Sequence, residues 1–243
     1  MNKPEESSKT LDNQAVDYIT SAVKGALGAV PFAGSLLAEL AGTVIPNQRI
    51  DRITRFSEVL ETKLSKLEQH FIRSQLTNEN FSDLLEEAAR QAARSLSHER
   101  REYIANLITN SLSQEDIEYV ESKHLLRVLG ELNDIEVIWL RFYLEPTIEG
   151  DDEFREKHKN ILTPIMASVP DPPSVLEKEA LQDSYQEHLS QLGLLQRRYE
   201  IDSKTQLPKI NKFTGGLKVR RHEITSLGRL LLKQIGLSSP EQG

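Results

Sequence analysis

The sequence predicts a mainly α protein, with an N-terminal multi-helix bundle followed by a small winged-helix-like α/β module. Three observations carry this. Apolar residues recur every three or four positions from Gln14 to Phe142, the signature of amphipathic helices. The character then changes to a charged, proline-rich stretch holding Pro146, Pro164, Pro170, Pro172 and Pro173. The only convincing strand patterns lie near the end, at residues 194–201 and 218–225, joined through Gly215-Gly216.

In chain order, residues 1–13 are polar, lack the apolar run of a signal peptide, and read as a flexible tail. Residues 14–46 read as an apolar helical hairpin broken at Pro31, because proline removes a backbone donor and clashes with the preceding turn. Asn47 caps a long amphipathic helix, 47–75, with Ile50, Ile53, Phe56, Leu60, Leu64, Leu67 and Phe71 on one stripe. A further helix is marked by Phe81, Leu84, Leu85, Ala88, Ala92 and Leu96, and the next by Ile104, Leu107, Ile108 and Ser111. Ser113 with Asp116, and Asn133 with Glu136, have capping-box spacing.

Together these elements make a helical domain at 14–143. Residues 144–173 form a linker with at most a short helix near 151–159. Ser174 with Glu177 then caps a helix that Gly193 stops, opening a winged-helix-like module at 174–243.

Composition narrows the chemistry. The absence of cysteine excludes disulfides, thiolate nucleophiles and cysteine-held metals, and fits a reducing cytoplasm. The six histidines are scattered singly, without zinc-helix spacing, and neither a phosphate-cradling loop nor a Gly-x-Ser-x-Gly elbow occurs. The expectation is a protein that binds rather than an enzyme, with no cofactor and no metal. Charge is unevenly spread. Residues 196–233 hold ten Lys/Arg against three acids, so the rest of a chain of net charge −7 stands at −14. Such a split implies a charged partner surface or docking of one part of the chain on another.

Two features carry functional candidates. Residues 25–48 hold a single charge, Glu39, and are long enough to span a bilayer, which takes about twenty mostly apolar residues. Gly25, Gly28, Pro31, Gly34, Ala38, Glu39 and Gly42 are its candidate membrane-insertion and oligomerisation residues. Small residues four apart (Gly34, Ala38, Gly42) allow close helix approach, either in lipid or inside a buried hairpin. The second feature is the basic wing, where Arg197, Arg198, Lys218, Arg220 and Arg221 are the candidate partner-binding residues. The helix before it carries Glu177, Glu179, Asp183 and Glu187 against Lys178, a charge that a DNA groove repels. The wing therefore reads as a protein-docking unit ahead of a nucleic-acid reader.

Three stretches carry a family resemblance. They are Gly28-x-x-Pro31-x-x-Gly34 leading to Leu36-Leu37-Ala38-Glu39-Leu40 and Ile45-Pro46-x-Gln48-Arg49; Glu99-Arg100-Arg101-Glu102-Tyr103-Ile104-Ala105-Asn106-Leu107 with Leu129-x-Glu131-Leu132; and Glu223-Ile224-Thr225-x-Leu227-Gly228-Arg229-Leu230. Together they resemble bacterial proteins of the abortive-infection alpha kind. The resemblance implies a phage-defence role in which infected cells die or stop growing. Combined with the apolar segment, it leads to the expectation of an effector that is cytoplasmic at rest. A phage-derived protein would trigger homo-oligomerisation, and the inner membrane would then be permeabilised through residues 25–45. The alternative is a winged-helix nucleic-acid-binding regulator or sensor.

Overall fold

A computed structural model describes residues 50–75, 77–113, 118–146, 151–168, 170–211 and 215–238. The tail, the apolar hairpin at 14–46, the Asn47 cap and the seven candidate membrane residues lie outside the described residues. The described chain is mainly helical, with one small antiparallel sheet of two strands towards the C-terminus. It divides into two compact units. One runs up to Gly130 and includes Gln234–Gly236; the other comprises Glu131–Lys233 and the residues from Leu237 on.

In the first unit, α1 (Ile50–Leu64), α3 (Glu79–Arg94) and α4 (His98–Ser113) pack on one another, accompanied by α2 (Gln69–Gln75) and α5 (Tyr119–Glu131). Ile53, Phe56, Leu60 and Leu64 of α1 are buried as the stripe predicts. The stripe does not continue. Lys66 N–H bonds Lys63 O and Leu67 N–H bonds Leu64 O, three residues back, so the helix tightens and stops before α2 begins. The break shifts the phase by one residue, and Ile72 is buried where Phe71 was expected. Leu96 is a similar correction. Helix α3 ends at Arg94, with the Ser95 N–H bonded to Gln91 O and Ala92 O, and Leu96 is 83% exposed. Ser113 is the last residue of α4, and Asp116 lies outside the described residues. Glu121 instead accepts from Glu118 N–H at the start of α5 (3.0 Å).

Helix α4 supplies four of the polar bonds that hold this unit together. Arg100 Nη1 donates to Leu129 O at the end of α5 (2.8 Å), and Arg101 Nη1 donates to Ser95 O just past α3 (3.2 Å). Asn106 Nδ2 donates to Ile235 O (2.9 Å) and Asn110 Nδ2 to Gln234 O (2.8 Å). The last carbonyls of a helix have no partner within it, and α4 satisfies them for three separate chain segments. Gly236 completes this arrangement. Its φ of +79° suits glycine, and a Cβ there would meet Asn106 Nδ2 at 2.4 Å.

The second unit starts with α6 (Asp134–Phe142), whose capping box is complete. Asn133 Oδ1 accepts from Glu136 N–H (2.9 Å), and Glu136 Oε2 accepts from Asn133 N–H (2.8 Å). The proline-rich stretch holds α7 (Asp152–Lys157) and α8 (Lys159–Leu162) and is bound to its surroundings. Arg141 pairs with Asp151, Arg155 stacks over Phe142 (4.9 Å) and donates to Glu145 O (3.0 Å). Buried Gln182 reaches Ile161 O, Thr163 O and Ile165 N–H from α9 (Pro173–Gln191). Helix α9 begins at Pro173, one residue before the expected Ser174 cap, because the fixed φ of proline suits a first helical turn. His188 Nδ1 lies 2.8 Å from Oε1 of buried Glu136 and ties α9 to α6. At the end of α9, Gly193 takes φ +73° and Leu194 N–H bonds Leu189 O, the glycine stop that the sequence predicts.

Strands β1 (Leu195–Tyr199) and β2 (Val219–Ile224) follow, then α10 (Ser226–Gln234), capped by Thr225 Oγ1 accepting from Gly228 N–H (3.1 Å). Gly228 is a close-approach position. A Cβ there would stand 2.5 Å from Leu194 O and 2.8 Å from Ile224 Cγ1.

Two outcomes are expected from urea unfolding of single variants. Arg100→Met leaves a buried carbonyl without its donor and should lose about 1–3 kcal/mol. Gly228→Ala should lose about 1–3 kcal/mol by overpacking, despite the better helix propensity of alanine.

Candidate interaction surface on the C-terminal ribbon

The two strands pair in the register Leu195↔Ile224, Gln196↔Glu223, Arg197↔His222, Arg198↔Arg221 and Tyr199↔Val219. Arg220 is skipped and forms a β-bulge, a device that adds twist and re-aims side chains. Beyond the strands the ribbon continues through the isolated bridges Ile201↔Pro208 and Ile210↔Leu217. Its outer part closes on itself. Glu200 N–H bonds Lys218 O (2.9 Å), Lys218 N–H bonds Lys209 O (2.8 Å), and Lys209 N–H bonds Glu200 O (2.7 Å). Three backbone segments are thereby each joined to the other two.

All five predicted partner-binding residues lie on this ribbon: Arg197 and Arg198 in β1, Arg220 and Arg221 in β2, and Lys218 just before β2. Four of them are already matched to carboxylates. Arg197 pairs with Glu187 of α9. Arg198 Nε and Arg221 Nη2 share Glu223, at 2.7 and 2.5 Å. Lys218 Nζ and Lys209 Nζ share Glu200, each at 2.6 Å. Arg220 alone of the five makes no ion pair among the described residues, and its bulged position sets it apart from the ladder.

The electrostatics follow from these clamps. Hydrogen bonds from Lys209 and Lys218 push Glu200 down to about 2. Those from Arg198 and Arg221 lower Glu223. His222 is lowered by burial and then by Arg197, and its ring stands 6.1 Å from that of Tyr143, whose hydroxyl burial pushes up to about 12.

Sequence reasoning missed the bulge, the two shared carboxylates and a set of exposed aliphatic side chains. Ile201, Leu207, Ile210, Leu217 and Val219 all face solvent on the ribbon. The alternations Lys209-Ile210 and Leu217-Lys218-Val219 are the signal that marks them, since neighbouring residues along a paired strand point to opposite sides. Among the described residues no group of three or more His, Asp or Glu is placed to hold a metal ion, and no helix is long and apolar enough to cross a membrane.

The Glu200 clamp makes the ribbon tip sensitive to acid. Its folded pKa is depressed from 4.5, so its contribution is complete above that value and is lost as pH falls towards about 2. Hydrogen exchange at the Lys209 and Lys218 amides, referenced to model-peptide rates, should show constant protection above pH 4.5 and loosening below it. Glu200→Gln should abolish this pH dependence.

No family model, curated protein or solved structure matches this chain, so the reading of its function rests on its own residues.

Proposed function

We propose that this chain is a phage-defence effector of the abortive-infection alpha kind. Its C-terminal unit recognises a phage-derived protein, recognition drives self-assembly, and residues 25–45 then permeabilise the inner membrane. The observation supporting the recognition half is Arg220, a bulged guanidinium without an ion partner among the described residues, in a ribbon whose other named cations are matched to acids. A guanidinium held this way presents a planar fork to a carboxylate on a partner surface.

The order of helix α9, strands β1 and β2 and helix α10 supports reading this part as a winged-helix-like module. In that plan α9 is the helix that would read a groove, yet Glu177, Asp183 and Glu187 are exposed on it, and their charge repels phosphate. A protein partner fits this surface better. The membrane half rests on the sequence alone. Residues 25–45 carry only Glu39, and Gly34, Ala38 and Gly42 are spaced for close helix approach. The second reading, a nucleic-acid-binding regulator, draws on the basic wing, because Lys and Arg supply sequence-independent phosphate affinity.

Three measurements test the proposal. Arg220→Glu should keep stability within about 0.5 kcal/mol, as exposed substitutions usually do, and abolish protection of infected cultures. Ala38→Lys should leave the protein folded but stop dye leakage from liposomes, since a lysine at a spanning-helix centre costs about 2.5–3.5 kcal/mol. Gly34→Leu should do the same by blocking close approach. A folded Ala38→Lys protein that still kills infected cells refutes insertion through this segment. Salt-dependent retention of duplex DNA by the wild-type chain would move the regulator reading ahead.

A further inference from the structure

The outer half of the ribbon has a composition that partner recognition through Arg220 does not use. Glu200, Lys209 and Lys218 meet on one side in the shared ion pair. Strand alternation sends their neighbours Ile201, Ile210, Leu217 and Val219 to the other side. There they are solvent-exposed, Ile210 at 64%, and Leu207, at the outer turn two residues before Lys209, is 65% exposed. Five large aliphatic side chains thus sit within nineteen residues of a ribbon whose residues 196–224 hold eight Lys/Arg against three acids. An exposed aliphatic residue standing alone needs no explanation, but several gathered on one charged ribbon mark a contact surface.

We infer that this tip is a peripheral membrane contact. It sets Ile201, Ile210 and Leu217, with Leu207 at the turn, into the interfacial layer of an anionic bilayer, while Lys204 and the ribbon's surplus of positive charge attract its phosphates. The charge is complementary to anionic headgroups, and clustered basic residues next to apolar ones are the composition that holds proteins at such surfaces. A bilayer takes protruding aliphatics at any spacing, whereas a protein partner would need a matching pocket for each. Nucleic acid is a poorer occupant, because single strands are held by aromatic stacking and duplexes mainly by phosphate contacts, and neither uses a row of Ile and Leu. The three-way backbone closure at Glu200, Lys209 and Lys218 holds the tip in shape before it meets lipid, so little ordering accompanies binding. This inference makes no use of residues 25–45 and goes beyond the reading above.

The test is co-sedimentation of the full chain with vesicles of phosphatidylcholine alone and of phosphatidylcholine containing about a third phosphatidylglycerol, at about 0.1 M and about 0.5 M NaCl. The wild-type chain should sediment with the anionic vesicles, far less with the neutral ones, and be partly released by the higher salt. Leu207→Ser/Ile210→Ser should keep the wild-type melting curve, because both side chains are exposed, and lose at least about tenfold in vesicle affinity. Lys204→Glu is the second probe and should weaken binding to the anionic vesicles only. Ala38→Lys should bind vesicles as the wild type does. Three results overturn the inference: full vesicle binding by Leu207→Ser/Ile210→Ser, equal wild-type binding to neutral and anionic vesicles, or no binding to either. Loss of duplex-DNA binding in the tip variants, with vesicle binding unchanged, reassigns the tip to nucleic acid and also overturns it.

Discussion

Helix α4 is the element on which the first unit depends, because it resolves a problem that every packed helix creates. The last four carbonyls of a helix find no donor within it, and burying them unmatched is costly. From one helix, Arg100 and Arg101 satisfy the segments ending α5 and α3, and Asn106 and Asn110 satisfy the carbonyls of Gln234 and Ile235. This explains why α4 lacks a clean apolar stripe. Ile104, Leu107 and Ile108 fill the core, while Arg100 and Arg101, also buried, bond to backbone rather than to solvent. It also gives a physical meaning to the stretch from Glu99 to Leu107, whose resemblance is otherwise only a pattern. Arg100, Arg101 and Asn106 are the donors that the neighbouring backbone requires.

The second unit solves a related problem with side-chain amides and carboxylates. A proline-rich, charged stretch between two helices has few backbone donors for regular structure, since proline supplies none. Gln182 compensates by accepting from one backbone N–H and donating to two carbonyls of the loop, and Glu179 accepts from Ala167 N–H. Arg141 and Arg155 hold the other side by pairing with Asp151 and stacking on Phe154 and Phe142. Glu136 serves twice, capping α6 with one oxygen and meeting His188 with the other. The two-stranded ribbon that follows α9 therefore starts from a fixed base.

How far the sequence spoke for this fold depended on the range of the interaction involved. Local chemistry was legible. Asn133 with Glu136 makes both capping-box bonds, Gly193 takes the left-handed conformation that ends α9, and Ile53, Phe56, Leu60 and Leu64 are buried together. Features set by a small change of phase were not. The tightened turn after Leu64 exchanges Phe71 for Ile72, and the end of α3 at Arg94 leaves Leu96 in solvent. The five basic residues singled out for their charge all lie on the ribbon. Their differences were hidden, because a one-residue bulge and the sharing of Glu200 and Glu223 depend on which residues stand opposite. The candidate residues between Gly25 and Gly42 fall outside the described part of the chain, so composition and spacing remain the grounds for their assignment.

Those shared carboxylates also decide what kind of surface the ribbon is. A ribbon of unmatched Lys and Arg would hold any polyanion, because diffuse positive charge gives affinity without register. Glu200 and Glu223 each take two of those cations and fix them in place, which lowers the net charge and makes the remaining positions distinct. Discrimination between partners comes from such fixed geometry more than from total charge. Arg220 at the bulge and Lys204 at the outer turn are then the described ribbon cations without an ion pair, and the exposed aliphatic residues from Ile201 to Val219 lie along the same ribbon. Matching the strand cations internally is therefore what makes Arg220 at the bulge chemically distinct from the paired cations beside it.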